Sequence, residues 1–168
     1  MKTILVHIEE DDGQEARLQA AFDLARCFGG HVMALQVMPY AAYALGDPAM
    51  GAFPVTTLVE AVEARRREDR QRIEARLAHE AISWEWHSRD GDSVDRLVEA
   101  ARLADIVVMS AGPFARGTPM GLATTGDVAI RAPAPVLAVP SGGRGIDLSG
   151  TAIIAWDGSQ EAAVAMRN

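Results

Sequence analysis

The chain has 168 residues and a formal net charge of -7 at pH 7, which suits one ordinary domain and argues against a protein that binds nucleic acid through a basic face. Its single cysteine, Cys27, excludes a disulfide within the chain and indicates a reducing compartment. No apolar run reaches the ~20 residues of a membrane span, and charges follow the N-terminus too soon for a signal peptide. We therefore expect a cytoplasmic protein that binds neither membrane nor nucleic acid.

The first part of the chain alternates between short apolar runs and an amphipathic stretch. Residues 4–8 and 31–38 are nearly continuous apolar runs, which are typical of strands covered on both faces. Between them, residues 13–28 carry apolar side chains at three- and four-residue steps, which predicts a helix that ends at Gly29. This helix would bury Phe28 in its last turn and Cys27 as a small apolar residue.

The middle of the chain predicts a loop, a long helix and a strand. Residues 40–55 are punctuated by glycine and proline and predict a loop. Thr57 and Glu60 form a capping-box pattern at the start of a helix over residues 56–79. Residues 82–87 alternate between apolar and polar side chains, which indicates a strand near an edge of the sheet.

The remaining segments continue the alternation of helices and strands. Asp92 or Ser93 would cap a helix over residues 94–103, and residues 105–109 read as a buried strand. A loop over residues 112–125, a short helix over 127–131 and a last strand over 135–140 follow. Residues 141–150, rich in glycine and serine, predict a flexible linker.

This order of strands and helices predicts the fold class. A β-α-β-α-β-α-β-α-β order requires parallel strands with right-handed helical crossovers. We therefore expect an α/β three-layer sandwich, a Rossmann-like five-stranded parallel sheet with helices on both faces. Ligands in such sheets bind at the carboxyl ends of the strands, which points to residues 7–12, 37–40 and 110–127.

The two ends of the chain share one plan. The stretches "ILVHIEEDDGQEA" and "AIIAWDGSQEA" each have an apolar strand, an acid (Glu9, Asp157), a glycine turn and a Gln-Glu-Ala triplet. We predict a domain over residues 1–140, a linker over 141–150 and the start of a second, incomplete copy over 151–168. A lone strand cannot form its own core, so the strand from Ala152 to Trp156 is expected to add to an existing sheet as an extra C-terminal strand.

Four segments resemble the universal stress protein family: "MKTILVHIEEDD", "AFDLARCFGGHVMALQVMP", "ADIVVMSA" and "GDVAIRAPAPVLAVP". The resemblance covers residues 1–140, and "IIAWDGSQEAA" is similar to the start of another such domain, as in tandem members. It implies a nucleotide-binding fold of the adenine nucleotide alpha hydrolase type and, in many members, ATP binding. It also implies a homodimer through the last strand, from Val136 to Val139, to which the strand from Ala152 to Trp156 could add.

The resemblance identifies candidate positions for an adenine nucleotide. Glu9 stands where family members use an aspartate against the adenosine, and Val37 matches the position whose backbone meets adenine. ATP-binding members carry Gly-x2-Gly-x9-Gly-Ser/Thr after the fourth strand. Here the first position falls on Ser110 and the second on Pro113, which has no N–H to donate.

The rest of that glycine motif is also altered. Gly126 fits the third glycine only with three extra residues, and Asp127 replaces the following Ser or Thr. Asp127 would make a good helix N-cap but would place negative charge beside a phosphate. Gly112, Gly117, Gly121 and Gly126 could form a different phosphate loop with Arg116 as counter-charge, although a loop without phosphate is favoured. We expect ATP or another adenine nucleotide to bind weakly or not at all.

No constellation of residues specifies a catalytic mechanism, and we predict no catalytic or metal-ligating residue. His7 beside Glu9 and Asp11 makes a metal site conceivable, but a structural histidine fits better. The favoured interpretation is a non-catalytic stress-response protein that acts through dimerisation and weak nucleotide or small-ligand binding. One alternative is an ATP-binding protein with slow hydrolysis or nucleotidyl transfer, in which Glu9 and Asp11 hold Mg²⁺. Another is an assembly module whose cleft is empty.

Overall fold

The computed structural model describes residues 1–38, 55–111, 121–151, 153, 157–159 and 162–163, with only the backbone for 55–59, 61–62 and 121–123. Strands and helices alternate along these ranges, as expected. In chain order they are β1 (Thr3–Ile8), α1 (Gln14–Phe28), β2 (His31–Met38), α2 (Val55–Ala78), β3 (Ser83–Asp90), α3 (Ser93–Ala101), β4 (Ile106–Ala111), α4 (Gly121–Arg131) and β5 (Val136–Pro140). Among the described residues, no helix combines the length and the hydropathy that crossing a membrane requires.

The five strands form one parallel sheet in the order β3-β2-β1-β4-β5, which confirms the predicted fold class. The chain builds the sheet outward from β1 through β2 to β3, then crosses over to β4 and β5 on the other side. The strand order therefore reverses between β1 and β4, and the crevice at their carboxyl ends is the place where such folds bind ligands. β3 lies at one edge of the sheet, as its alternating pattern predicted, and β5 lies at the other.

Helices cover both faces of the sheet because side chains alternate along each strand. The helices pack in two apolar clusters on opposite faces. One cluster contains residues of β1, α1 and α2 (Val6, Phe22, Leu77), and the other contains residues of β1, α3 and α4 (Leu5, Leu97, Val128). In the last turn of α1, Ala25 belongs to the first cluster, but Cys27 is exposed and Phe28 is 48% exposed, so the prediction that these two are buried is wrong.

Helix α4 is longer than the sequence pattern predicted. It begins at Gly121, six residues before the expected start at Asp127, so Asp127 is not its N-cap. Thr124 and Val128, four residues apart, are both buried, which gives the helix an inward face. The prediction gave too much weight to Gly126, because a glycine in a helix interior costs only about 1 kcal/mol relative to alanine.

The predicted flexible linker, residues 141–150, lies against α1, and we call it the C-terminal tether. The Ile146 N–H donates to Asp23 Oδ2 at 2.9 Å, and the Ile146 side chain packs on the cluster of α1 and α2. Asp23 Oδ1 also accepts hydrogen bonds from Gln19 at 2.9 Å and Arg26 at 2.6 Å. Gly145 has a φ of 123°, and a Cβ there would lie 2.5 Å from Asp23 Oδ2, so this close approach requires glycine.

Most of the predicted second copy, including most of the expected strand over residues 152–156, lies outside the described residues. Ile153 is described, is 94% exposed and belongs to no strand. Farther on, the Ser159 N–H donates to Asp157 Oδ1 at 2.9 Å, and Ser159 Oγ accepts from the Ala162 N–H at 3.1 Å. This is a turn that caps a helical start at residues 162–163. The boundaries of the three segments stay predictions.

Candidate functional site

The predicted site residues are distributed over three strand ends and one helix. Glu9 follows β1, Val37 is the penultimate residue of β2 and Ser110 is the penultimate residue of β4. Because the strands are parallel, these three positions share the carboxyl edge of the sheet, with Glu9 and Ser110 on the two sides of the reversal in strand order. Gly112 and Gly117 lie outside the described residues.

Gly126 and Asp127 lie within α4 and are both exposed. Inside a helix, a backbone N–H is bonded to the carbonyl four residues earlier, so neither residue presents the free N–H groups of a helix N-terminus. Helix α4 is joined to the crevice by Thr125, whose hydroxyl donates to the Ser110 carbonyl at 3.1 Å.

A buried arginine that the sequence analysis did not single out occupies the floor of the crevice. Arg17 of α1 is 1% exposed. Its Nε donates to the His7 carbonyl at 3.0 Å, its Nη2 donates to the Glu9 carbonyl at 2.8 Å, and its Nη1 hydrogen bonds to Ser110 Oγ. One guanidinium thus connects the end of β1 to the end of β4.

The Arg17 charge is neutralised inside the crevice by Asp11. Nη1 of Arg17 lies 2.9 Å from Asp11 Oδ1 and 2.8 Å from Asp11 Oδ2, and Asp11 Oδ1 also accepts from the Gly13 N–H at 2.9 Å. A buried charge without a partner costs several kcal/mol, so Asp11 is committed to this ion pair. The described residues contain no group of three or more His, Cys, Asp or Glu side chains arranged to hold a metal ion.

The start of α1 is packed tightly against this network. A Cβ built on Gly13 would lie 2.5 Å from Ser110 Oγ and 3.3 Å from Arg17 Nη1. Gly13 has a φ of -94°, so it is needed for space and not for an unusual backbone conformation. Because Gly13 has no side chain, the Ser110 hydroxyl can lie against the start of α1 at the reversal of strand order.

Two titratable groups at the mouth of the crevice have altered pKa values. Burial, reinforced by the Arg17 charge, lowers the pKa of His7 to about 3, so this side chain is neutral at physiological pH. Partial burial and then the Asp11 charge raise the pKa of Glu9. The Glu9 carboxylate is 51% exposed and lies 3.9 Å from His7 Nδ1, so it stands at the mouth of the crevice within reach of a ligand.

A second buried polar network joins α1 and β2 to α2. Asp69 is 5% exposed and accepts hydrogen bonds from Gln14 Nε2 at 3.4 Å, from Gln36 Nε2 at 3.3 Å and from Arg72. Beside it, a cavity of about 440 Å³ is lined by four acidic residues, one glutamine and two arginines: Glu10, Asp11, Asp12, Glu15, Gln14, Arg65 and Arg72. Its acidic lining does not favour the phosphates of a nucleotide.

Comparisons with known proteins agree with this architecture. A model of the universal stress protein family matches residues 1–140. The universal stress protein UspA from Lactobacillus plantarum shares 22% sequence identity and a TM-score of 0.62, over 82% of this chain and 97% of that one. The universal stress protein from Archaeoglobus fulgidus in complex with dAMP shares 21% identity and a TM-score of 0.56, over 83% of this chain and 98% of that one.

A universal stress protein in complex with cAMP likewise shares 21% identity and a TM-score of 0.56, over 83% of this chain and 98% of that one. These identities support a common fold. No curated protein matches the sequence significantly. The match of the family model over residues 1–140, together with the five-stranded parallel sheet, shows that the chain belongs to the universal stress protein family.

Proposed function

We propose that this chain is a non-catalytic stress-response protein of the cytoplasm that self-associates and binds adenine nucleotides weakly, through their adenosine part. One observation carries the proposal. The crevice between β1 and β4 keeps the Glu9 carboxylate at its mouth, while its floor is filled by Arg17 and Asp11. An adenosine therefore has a hydrogen-bond acceptor in this crevice, and a phosphate does not gain a free cation there.

Glu9 suits the ribose because a carboxylate accepts hydrogen bonds from vicinal hydroxyls. Among the described residues, no side chain or backbone N–H donates a hydrogen bond to the Glu9 carboxylate. Partial burial and then the Asp11 charge raise its pKa, and ribose hydroxyls would supply the missing hydrogen-bond donors. The relatives solved with dAMP and with cAMP support an adenine nucleotide as the class of ligand.

The phosphate part of a nucleotide finds less support. The Arg17 guanidinium is shared among oxygens of His7, Glu9, Asp11 and Ser110, so a phosphate would have to displace protein oxygens to reach it. Slow ATP hydrolysis gains no support either, because both oxygens of Asp11 face Arg17 and not a free position for Mg²⁺.

Calorimetry with adenosine, AMP and ATP with Mg²⁺ tests the proposal. We expect dissociation constants above about 100 μM that differ by less than about threefold among the three ligands, since the phosphates add little. Glu9→Gln should weaken all three by about tenfold, the effect of losing one charge-assisted hydrogen bond. Asp12→Asn, the matched control at an exposed neighbouring acid, should change nothing. Low-micromolar ATP affinity, or ATP hydrolysis that Asp11→Asn abolishes, would overturn the proposal.

A further inference from the structure

A second concave surface lies on the other side of α2, away from the crevice. We call it the arginine groove, defined by Gln36, Arg66, Arg67, Arg70 and Ser88. It is a cavity of about 200 Å³ that Glu63 also lines. None of these residues lines the acidic cavity beside α1 or contributes to the Arg17 network, so the groove is separate from the nucleotide crevice.

The sheet supplies the polar floor of the groove. Gln36 of β2 and Ser88 of β3 are directly paired across the two strands, so their side chains point to the same face, which α2 covers. Gln36 is 8% exposed. Its Nε2 donates to Asp69 Oδ2 at 3.3 Å, whereas the exposed Ser88 hydroxyl on the edge strand β3 is a neutral hydrogen-bonding group that can serve an anionic ligand.

Helix α2 supplies the charges. Arg66, Arg67 and Arg70 project from two successive turns. Among the residues that the structure describes, Glu63 is the one acid that lines the groove with them, and Asp90 Oδ1 lies 3.7 Å from Arg66 Nη1. The side chains that line the groove therefore carry a net positive charge, in a protein whose formal net charge is -7. Local positive charge on an acidic chain concentrates small anions at that site.

The three arginines differ in how firmly the protein holds them. Nη2 of Arg66 donates to Ser88 Oγ at 2.6 Å, which fixes its guanidinium above the floor. Nε of Arg70 donates to Glu74 Oε1 at 2.8 Å, and its guanidinium carbon lies 5.7 Å from the centre of the Trp86 ring.

These contacts leave donors of Arg70 unused. Neither Nη nitrogen of Arg70 donates to a described residue. Arg67 is exposed and forms no hydrogen bond or ion pair within the described part of the chain. Arg70 is fixed by Glu74 and stacked on Trp86, and the described residues leave all donors of Arg67 next to it available. Two such guanidinium groups are suited to bidentate recognition of an oxyanion.

We propose that the arginine groove binds a phosphate oxyanion, as inorganic phosphate or as a compact phosphomonoester. Guanidinium groups match phosphate oxygens in pairs, and the Ser88 hydroxyl adds a further donor. A volume of about 200 Å³ is below the roughly 300–1,000 Å³ of sites for drug-sized ligands. The ligand is thus smaller than a nucleotide, and this site is independent of the adenosine-binding crevice.

Amide NMR of the full chain, titrated with inorganic phosphate at constant ionic strength, tests the proposal. We expect saturable shifts of the Ser88 amide and of the Nε–H signals of Arg67 and Arg70, with a millimolar dissociation constant. Arg67→Gln and Arg70→Gln should each weaken binding by about tenfold. Arg144→Gln, which removes the same charge from the exposed C-terminal tether, should leave the dissociation constant unchanged.

A parallel titration with glycerol 3-phosphate distinguishes the two sources of the group. If glycerol 3-phosphate binds more tightly than inorganic phosphate, the groove is a site for phosphomonoesters. If glycerol 3-phosphate binds at least tenfold more weakly, the groove is a site for the free ion. Shifts that grow linearly without saturation, or equal weakening in Arg144→Gln, would show a general ion effect and overturn the proposal. Glu9→Gln should leave phosphate binding intact, so failure at the crevice and failure at the groove are distinguishable.

Discussion

At the scale of single residues, His7 shows how the fold changes the chemistry of a side chain. It is 5% exposed, and its pKa is lowered to about 3, first by burial and then by the Arg17 charge. In the unfolded chain a histidine titrates near pH 6.5. As the pH falls from about 6.5 to about 3, the unfolded state therefore binds a proton that the folded state does not, and stability decreases by about 1.4 kcal/mol per pH unit.

Urea unfolding between pH 7 and pH 5 measures this effect. We expect His7 alone to cost the wild-type chain about 2 kcal/mol over this interval. His7→Gln should lack this contribution, so the difference in unfolding free energy between the two proteins should change by that amount. His79→Gln, at an exposed histidine, is the control and should follow the wild type. An equal pH dependence in His7→Gln and wild type would show that His7 is protonated in the folded state.

The sequence predicted part of the crevice because strand ends follow directly from apolar runs. Glu9 and Ser110 are at the carboxyl edge for that reason. Arg17 was missed because a charged residue in an amphipathic helix is normally expected on the solvent side. A signal was present: Arg17 is three residues after Gln14 and four before Ala21, so all three share one helix face, and all three are buried.

At the scale of elements, strand positions were predicted closely and one helix start was not. Each strand is a short apolar or alternating run that only a sheet can bury, so its position follows from the sequence pattern. The start of α4 and the path of residues 141–150 depend on contacts made after folding. The C-terminal tether is held by Asp23, and glycine content alone could not indicate that partner.

The attachment of the tether to α1 depends on one carboxylate. Partial burial of Asp23 is outweighed by its hydrogen bonds with the Ile146 N–H, Arg26 and Gln19, which together lower its pKa. We expect Asp23→Ala to release residues 141–150 and to reduce the free energy of unfolding by about 1–2 kcal/mol. Hydrogen exchange should show lost protection at the Ile146 amide while the amides of β1 and β4 stay protected.

Asp127→Ala is the matched control for this experiment, because Asp127 is an exposed acid within α4. It should leave exchange in the tether unchanged. Equal protection of Ile146 in Asp23→Ala and wild type would show that the packing of the Ile146 side chain, and not the Asp23 hydrogen bond, holds the tether.

At the scale of the whole molecule, the two edge strands differ in what they offer a second copy. β3 carries Glu85 and Arg89, and charges on an edge strand discourage pairing with another sheet. β5 is largely apolar from Val136 to Val139. The outer side of β5 is therefore the better surface for the self-association that we propose. We propose that residues 152–156 add to the same interface.

The geometry of the β4–β5 ladder identifies the substitution that tests this. The Val107 N–H donates to the Pro135 carbonyl at 2.9 Å. Since N–H groups along a strand point alternately to its two sides, the N–H groups of Leu137 and Val139 face β4 and that of Ala138 faces outward. A proline at position 138 removes an outward donor while the ladder to β4 keeps its hydrogen bonds.

We expect light scattering at tens of micromolar to give a dimer mass for the wild type and a monomer mass for Ala138→Pro. Ala138→Ser keeps the N–H at this exposed position and should stay dimeric. Thermal unfolding of Ala138→Pro should show a cooperative transition, which separates lost pairing from lost folding. A monomeric wild type, or a folded Ala138→Pro that is still dimeric, would exclude β5 as the interface, because edge pairing cannot proceed past a proline that faces the partner strand.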